Sequence, residues 1–103
     1  MRIAVAGADG RLGRALVDAI GTRDDLEAVP WGRPAFDLDD PQGMASLVAR
    51  YRPDLVLMPA AWTDVDGCAR DPELALARNG TAPGVVAEAC VAAGSGLLLV
   101  STN

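Results

Sequence analysis

The stretch that decides the fold is Arg2-Ile3-Ala4-Val5-Ala6-Gly7-Ala8-Asp9-Gly10-Arg11-Leu12-Gly13, near the start of the 103-residue chain. Residues 2–6 form a short apolar run that ends at a glycine, which is typical of a strand buried on both faces of a parallel sheet. Leu12, Leu16 and Ile20 then recur at helical spacing. The sequence therefore predicts a strand, a glycine loop and a helix in direct succession.

The same alternation continues along the chain. Further strands are predicted at 26–31, 54–58 and 97–101, with a short extended piece at 35–38. Helices are predicted after the Asp40-Pro41 pair, over 71–78 and over 85–93, each with an apolar stripe or a capping signal. Strands that alternate with helices indicate an α/β fold, a Rossmann-type doubly wound parallel sheet.

Three glycines in the first loop indicate a nucleotide site. Gly7 allows a tight exit from the strand, Gly10 lets the backbone approach a diphosphate, and Gly13 lets the helix pack close to the strand. The free N–H groups and the dipole of the following helix favour an anion. The loop therefore predicts an NAD(P) diphosphate site, with a glycine-rich turn that binds no ligand as the alternative.

The remaining loop residues suggest which coenzyme is bound. Asp9 is expected to fix the turn by accepting backbone N–H bonds, and Arg11 either contacts phosphate or is solvated. The second strand ends at Trp31-Gly32-Arg33 without the acid that would bind a ribose 2′-hydroxyl. Arg33 stands where a cation could bind a 2′-phosphate, so NADP(H) is favoured over NAD(H), unless Arg33 is only an exposed loop residue.

Composition excludes several classes of function. The net charge is −5 without a basic cluster, which argues against nucleic-acid binding. No apolar run is long enough to cross a membrane. The chain has no histidine and no lysine, so no metal site is predicted and a serine–histidine–aspartate triad is absent. Cys68 and Cys90 are interpreted as free thiols of a cytoplasmic protein.

Several separated motifs resemble one family. They are the glycine loop, Asp37-Leu38-Asp39-Asp40-Pro41, Arg52-Pro53-Asp54-Leu55-Val56, Ala60-Ala61-Trp62-Thr63-Asp64-Val65-Asp66, Asp71-Pro72-Glu73-Leu74-Ala75, Asn79 and Ser101-Thr102. In this order they resemble the dTDP-4-dehydrorhamnose reductases, extended members of the short-chain dehydrogenase/reductase superfamily. Met58-Pro59 stands where that family usually has Asn-Ala, and Asn103 replaces its usual Asp.

The resemblance implies an enzyme that uses NADPH to reduce the 4-keto group of dTDP-4-dehydro-6-deoxy-L-mannose, in dTDP-L-rhamnose biosynthesis. It implies that Asp37 and Leu38 flank the adenine, and that Ala60, Ala61 and Trp62 line the ribose and diphosphate. Thr102 would bind and polarise the keto oxygen. With Gly7, Asp9, Gly10, Arg11, Leu12, Gly13 and Arg33 these residues make up the predicted site. Each could instead serve packing or a turn alone.

The same resemblance implies a Tyr-x-x-x-Lys pair that supplies the proton. Tyr51 is the only tyrosine and is predicted on the apolar stripe of a helix, at the wrong end of the sheet. We therefore expect residues 1–103 to be an incomplete NAD(P)-binding domain, inactive alone, whose substrate domain and later strands are absent. A non-catalytic NADP-binding regulatory module and a nucleotide-sugar epimerase or dehydratase are the alternatives, and a homodimer of the full-length protein is left open.

Overall fold

The computed structural model describes residues 1–59 and 65–100. The elements follow one another as β1 (Arg2–Ala6), α1 (Arg11–Gly21), β2 (Glu27–Trp31), α2 (Pro41–Tyr51), β3 (Leu55–Met58), α3 (Val65–Arg70), α4 (Pro72–Leu76), a π-helical turn (Ala77–Thr81), α5 (Ala82–Ala93) and β4 (Gly96–Leu99). Strands and helices alternate along the chain as the hydrophobic pattern predicts.

The four strands form one parallel sheet in the order β2-β1-β3-β4. From β1 the chain moves to one side to form β2, and it then returns to place β3 on the other side of β1. This reversal creates a switch point between the carboxyl ends of β1 and β3, where ligands bind in sheets of this type. The predicted doubly wound sheet is confirmed.

Helices cover both faces of the sheet because side chains along β1 alternate in direction. Ile3 and Val5 are buried against Ile20 of α1. Ala4 and Ala6 face the opposite side, where α2 and α5 pack. The residues that fill this second core are Met44, Val48, Val56, Met58, Val86 and Cys90, all almost completely buried.

Two helix ends have the caps expected from their residues. A carboxylate oxygen of Asp40 accepts a hydrogen bond from Gly43 N at 3.0 Å, at the start of α2. Gly94 ends α5 in the left-handed conformation at φ 74°, and its N–H donates to the carbonyls near the helix end. Among the described residues, no helix is long and apolar enough to span a membrane.

Two predicted segments were wrong. Residues 35–38 contain turns and a bend in place of an extended piece, because Phe36 N donates to Gly32 O at 3.0 Å and its ring is buried against Trp31. The stretch after β3, expected as a polar turn, contains the helix Val65–Arg70. The helix predicted over 71–78 ends at Leu76, and the π-helical turn follows it.

Candidate coenzyme site

The glycine loop is tied to the neighbouring strand by its backbone. Gly7 has φ 86°, a conformation that L side chains rarely adopt. This turn aims the N–H groups of Gly7 and Ala8 at Trp31 O, at 2.9 and 3.2 Å. Gly10 N then donates to Gly7 O at 3.1 Å. The loop therefore leaves β1 along the end of β2 and turns directly into α1.

Gly10 and Gly13 are glycines for different reasons. A Cβ added at Gly13 would lie 2.8 Å from Gly7 C and 2.9 Å from Ala8 Cα, so the close approach of α1 to the loop excludes it. A Cβ at Gly10 would lie 3.4 Å from Gly7 O, an ordinary contact. The fold itself therefore tolerates a side chain at Gly10, and the open surface there is available to a ligand.

The amino end of α1 is suited to an anion. Gly10 is its capping residue, and no side chain caps the helix. No acidic residue lies in the first turn. N–H groups in the first turn of a helix have no partner within the helix, and they carry the positive end of its dipole. Gly10 and Gly13 line the cleft at this helix end, and no side-chain cap competes for these donors, which is an arrangement that favours an anion.

A cleft with a volume of about 450 Å³ opens beside this helix end. It is lined by Gly7, Asp9, Gly10, Arg11, Leu12, Gly13, Arg33, Phe36, Asp37, Leu38, Asp39, Pro59 and Arg78. All nine predicted coenzyme residues that the structure describes are in this lining. Residues from the glycine loop and from the β2–α2 connection, distant in sequence, thus form one site at the switch point of the sheet.

The other predicted site residues cannot be placed. Ala60, Ala61 and Trp62, predicted to line the ribose and diphosphate, lie outside the described residues, as does Thr102, the predicted catalytic hydroxyl. Pro59, the last described residue before the first gap, does line the cleft. The carboxyl end of β3 therefore reaches the same cleft as the glycine loop.

Asp9 differs from its predicted role. It was expected to accept backbone N–H bonds and so to fix the turn, but it makes no such bond with any described residue. The N–H groups of Gly7, Ala8 and Gly10 donate instead to backbone carbonyls. Its side chain lies beside Gly32, whose added Cβ would be 3.5 Å from Asp9 Cγ.

The cleft also contains an ion pair that was not predicted from the sequence. Arg78 Nε donates to Asp39 Oδ1 at 2.7 Å, and Arg78 Nη2 donates to Asp39 Oδ2 at 2.8 Å. These hydrogen bonds lower the pKa of the Asp39 carboxyl and raise that of the Arg78 guanidinium. Arg33 lowers the Asp39 pKa further through its charge.

No local signal identified this pair, because its members are 39 positions apart. Phe36 was missed for another reason: its ring stacks on Trp31 at 6.3 Å between centroids, so that it belongs to the core and the cleft at once. Asn79 lies in the π-helical turn beside Arg78.

Tyr51 is not among the described residues that line the cleft. It is the last residue of α2, and its carbonyl accepts a hydrogen bond from Arg2 Nη1 at 2.9 Å. Arg2 begins β1, whereas the glycine loop follows the end of that strand. The backbone of Tyr51 therefore lies near the amino end of β1, and its ring packs against Trp31 at 6.1 Å between centroids. Cys90 is a buried free thiol, and burial raises its pKa.

Comparison with known proteins identifies relatives of this arrangement. The family described as RmlD substrate binding domain matches residues 1–103. A dTDP-4-dehydrorhamnose reductase from Streptomyces griseus is 41% identical over 99 residues, which are 96% of this chain and 32% of that protein. The sequence resemblance is thereby confirmed, and the chain spans about a third of the length of these relatives.

Solved structures of reductases from the same family have the fold of this chain. The dTDP-4-dehydrorhamnose reductase of Yersinia enterocolitica superimposes with a TM-score of 0.91 at 32% identity, covering 98% of this chain and 35% of that one. The corresponding reductase of Bacillus anthracis, solved in complex with NADP, gives 0.85 at 26% identity over 93% of this chain and 34% of that one. The fold of the chain is thus that of about a third of these reductases, one of which was solved with NADP.

Proposed function

Because this chain belongs to the RmlD substrate binding domain family, we propose that it is the coenzyme-binding part of a reductase of nucleotide-linked 4-keto sugars. Its relatives are named dTDP-4-dehydrorhamnose reductases, and the proposed reaction is reduction of dTDP-4-dehydro-6-deoxy-L-mannose at its 4-keto group. The observation that carries the proposal is the cleft, which brings together at the switch point the nine described residues predicted to contact the coenzyme.

The described residues divide the work of binding. Gly10 leaves room for the diphosphate, and the first-turn N–H groups of α1 neutralise part of its charge. Asp37 and Leu38 are proposed to contact the adenosine, and Arg33 the 2′-phosphate of NADPH. The bound nicotinamide would supply the hydride, and this chain would hold and orient it.

A proton for the developing alkoxide needs a different source. The chain has no lysine or histidine, and Tyr51 is not among the described residues that line the cleft. We propose that the donor is a Tyr-x-x-x-Lys pair carried by the full-length protein outside residues 1–103, with Thr102 helping to hold the keto oxygen. Residues 1–103 alone would then bind coenzyme without catalysing turnover.

Calorimetry on the full-length protein with NADPH and NADH tests coenzyme binding. We expect NADPH to bind more tightly, and Arg33→Ala to remove most of the difference while NADH binding changes little. An assay of dTDP-4-keto sugar reduction, in which the loss of NADPH absorbance is measured, tests the reaction. Binding of neither coenzyme would overturn the proposal. Coenzyme binding without turnover would instead favour a non-catalytic regulatory module.

A further inference from the structure

The loop that connects β2 to α2, residues 32–40, provides five of the residues that line the cleft. Most of its hydrogen bonds stay within the loop or the first turn of α2. Phe36 N donates to Gly32 O at 3.0 Å, and the N–H groups of Asp39 and Asp40 both donate to Asp37, each at 2.9 Å. Within the described part of the chain, only the Asp39–Arg78 pair joins this loop to a distant segment by hydrogen bonds.

The pair has the geometry of a strong interaction. Both carboxylate oxygens of Asp39 are engaged by two nitrogens of Arg78, so the guanidinium is held in the two-bond arrangement typical of Arg–carboxylate pairs. Arg78 is about one quarter exposed and Asp39 one half. Arg78 belongs to the π-helical turn, whereas Asp39 precedes α2, so that the pair crosses the cleft wall from one segment to the other.

The charges of the cleft are balanced only while Arg78 is present. Among its described lining residues are three arginines and three aspartates, namely Arg11, Arg33, Arg78, Asp9, Asp37 and Asp39. A 2′-phosphate brings about two negative charges to Arg33, and Arg33 already interacts with Asp39 through its charge. An unpaired carboxylate at Asp39 would therefore repel the phosphate and would not penalise a 2′-hydroxyl.

We propose that Arg78 is a positioning residue that sets the choice between NADPH and NADH. By engaging both oxygens of Asp39 it neutralises this carboxylate, and it leaves Arg33 to bind the 2′-phosphate. The inference rests on the proposed coenzyme function and deepens it, because it assigns selectivity to a residue that acts through Asp39.

The test compares Arg78→Leu, Asp39→Asn and the double variant in the full-length protein, with dissociation constants for NADPH and NADH measured by calorimetry. We expect Arg78→Leu to weaken NADPH binding by about tenfold and NADH binding by less than about twofold. The double variant should regain NADPH binding to within about threefold of wild type, because the unpaired carboxylate is gone. Arg23→Leu, which removes an exposed arginine paired with Asp25 before β2, is the control and should change neither constant.

Three outcomes would overturn the inference. If Arg78→Leu weakens the binding of NADPH and NADH equally, and the double variant restores neither, the pair only stabilises the loop. Tighter NADPH binding by Asp39→Asn, again without rescue in the double variant, would make Arg78 a direct phosphate ligand. If both dissociation constants are unchanged in Arg78→Leu, Arg78 has no role in coenzyme selectivity. Failure of the proposed function differs from all three, since the wild-type protein would then bind neither coenzyme.

Discussion

At the scale of single residues, Gly10 and Gly13 are expected to be glycines for different reasons, the first for ligand binding and the second for packing of the fold. Gly13 is restricted by backbone atoms of Gly7 and Ala8 less than 3 Å from its missing Cβ. Gly10 meets protein atoms only at ordinary contact distance, and its φ of −81° suits any residue. A methyl group should therefore affect stability at one position and coenzyme binding at the other.

We predict that Gly13→Ala destabilises the protein by about 1–3 kcal/mol, because backbone atoms must shift to admit the methyl group. Gly10→Ala should cost less than about 1 kcal/mol and should weaken coenzyme binding by about tenfold or more, because the methyl group occupies the space of the diphosphate. Urea unfolding and calorimetry measure the two effects. Unchanged coenzyme affinity in Gly10→Ala would remove the glycine loop from the site.

The structural roles of Gly7 and Gly13 could be predicted from the sequence because each follows from local spacing: a strand, a tight turn and a helix within thirteen residues. Arg78 could not be predicted in this way. Its partner Asp39 lies in another segment, and only the folded chain brings the two together. The hydrogen bonding of Asp9 could not be predicted either, because it depends on the folded loop, in which the N–H groups of Gly7 and Ala8 donate to Trp31 O.

The ionisation of Asp39 gives a prediction with a definite sign. The hydrogen bonds from Arg78 lower the pKa of Asp39 in the folded protein. The pair therefore contributes its stability fully above the pKa of the unfolded state, about 4, and loses it as the pH falls through the lower folded value. The stability difference between wild type and Asp39→Asn should be constant near neutral pH and shrink in acid. Urea titrations over pH measure it.

High salt should also reduce this difference, because both side chains are partly exposed. A carboxylate outside the cleft serves as the control: Asp25 pairs with Arg23 at a strongly exposed site, and Asp25→Asn should change the stability near neutral pH by less than Asp39→Asn does. A difference between wild type and Asp39→Asn that grows in acid would contradict the assignment.

At the scale of elements, the residue that follows α2 has an unfavourable backbone conformation. Arg52 follows the helix with φ 45°, in the left-handed region, and its N–H donates to Val48 O at 2.8 Å. An L side chain is strained there, whereas glycine is not. We predict that Arg52→Gly stabilises the protein by about 0.5–1 kcal/mol, as measured by urea unfolding.

Arg50 provides the matched control, since it lies within the same helix. Arg50→Gly should destabilise by about 1 kcal/mol, because glycine within a helix costs conformational entropy. A loss of stability in Arg52→Gly would show that the side chain of Arg52 contributes more than its backbone conformation costs.

Periodicity predicted the regular elements better than their connections. The stripe Met44, Leu47 and Val48 identified α2, because burial on one face imposes a helical repeat. The loop at 35–38 was mistaken for an extended piece, since Phe36 is buried by its ring contact with Trp31 although residues 35–38 pair with no strand. The π-helical turn has no apolar repeat of its own, and none of its residues is buried.

At the scale of the whole molecule, the two faces of the sheet are unequally covered. On one face α2 and α5 pack together over the centre of the sheet. On the other, the core around Ile3 and Val5 is covered by α1, and Leu98 of β4 is 58% exposed. Leu98 is in register with Leu57 of β3, so that it extends the same apolar face beyond the cover of α1.

We predict that residues 1–103, produced alone, associate through this uncovered face and the adjoining edge. Within the described sheet β4 pairs only with β3. Leu99, the last residue of β4, and Val100, which follows it, are also exposed. Edge strands with apolar side chains favour contacts between chains. Sedimentation velocity should show a coefficient that rises with protein concentration, and Leu98→Lys should abolish the rise because it places a charge on the face. Val91 is 82% exposed on α5, and Val91→Lys should leave the rise unchanged. Association that survives Leu98→Lys and disappears in Val91→Lys would place the contact on the α5 surface instead.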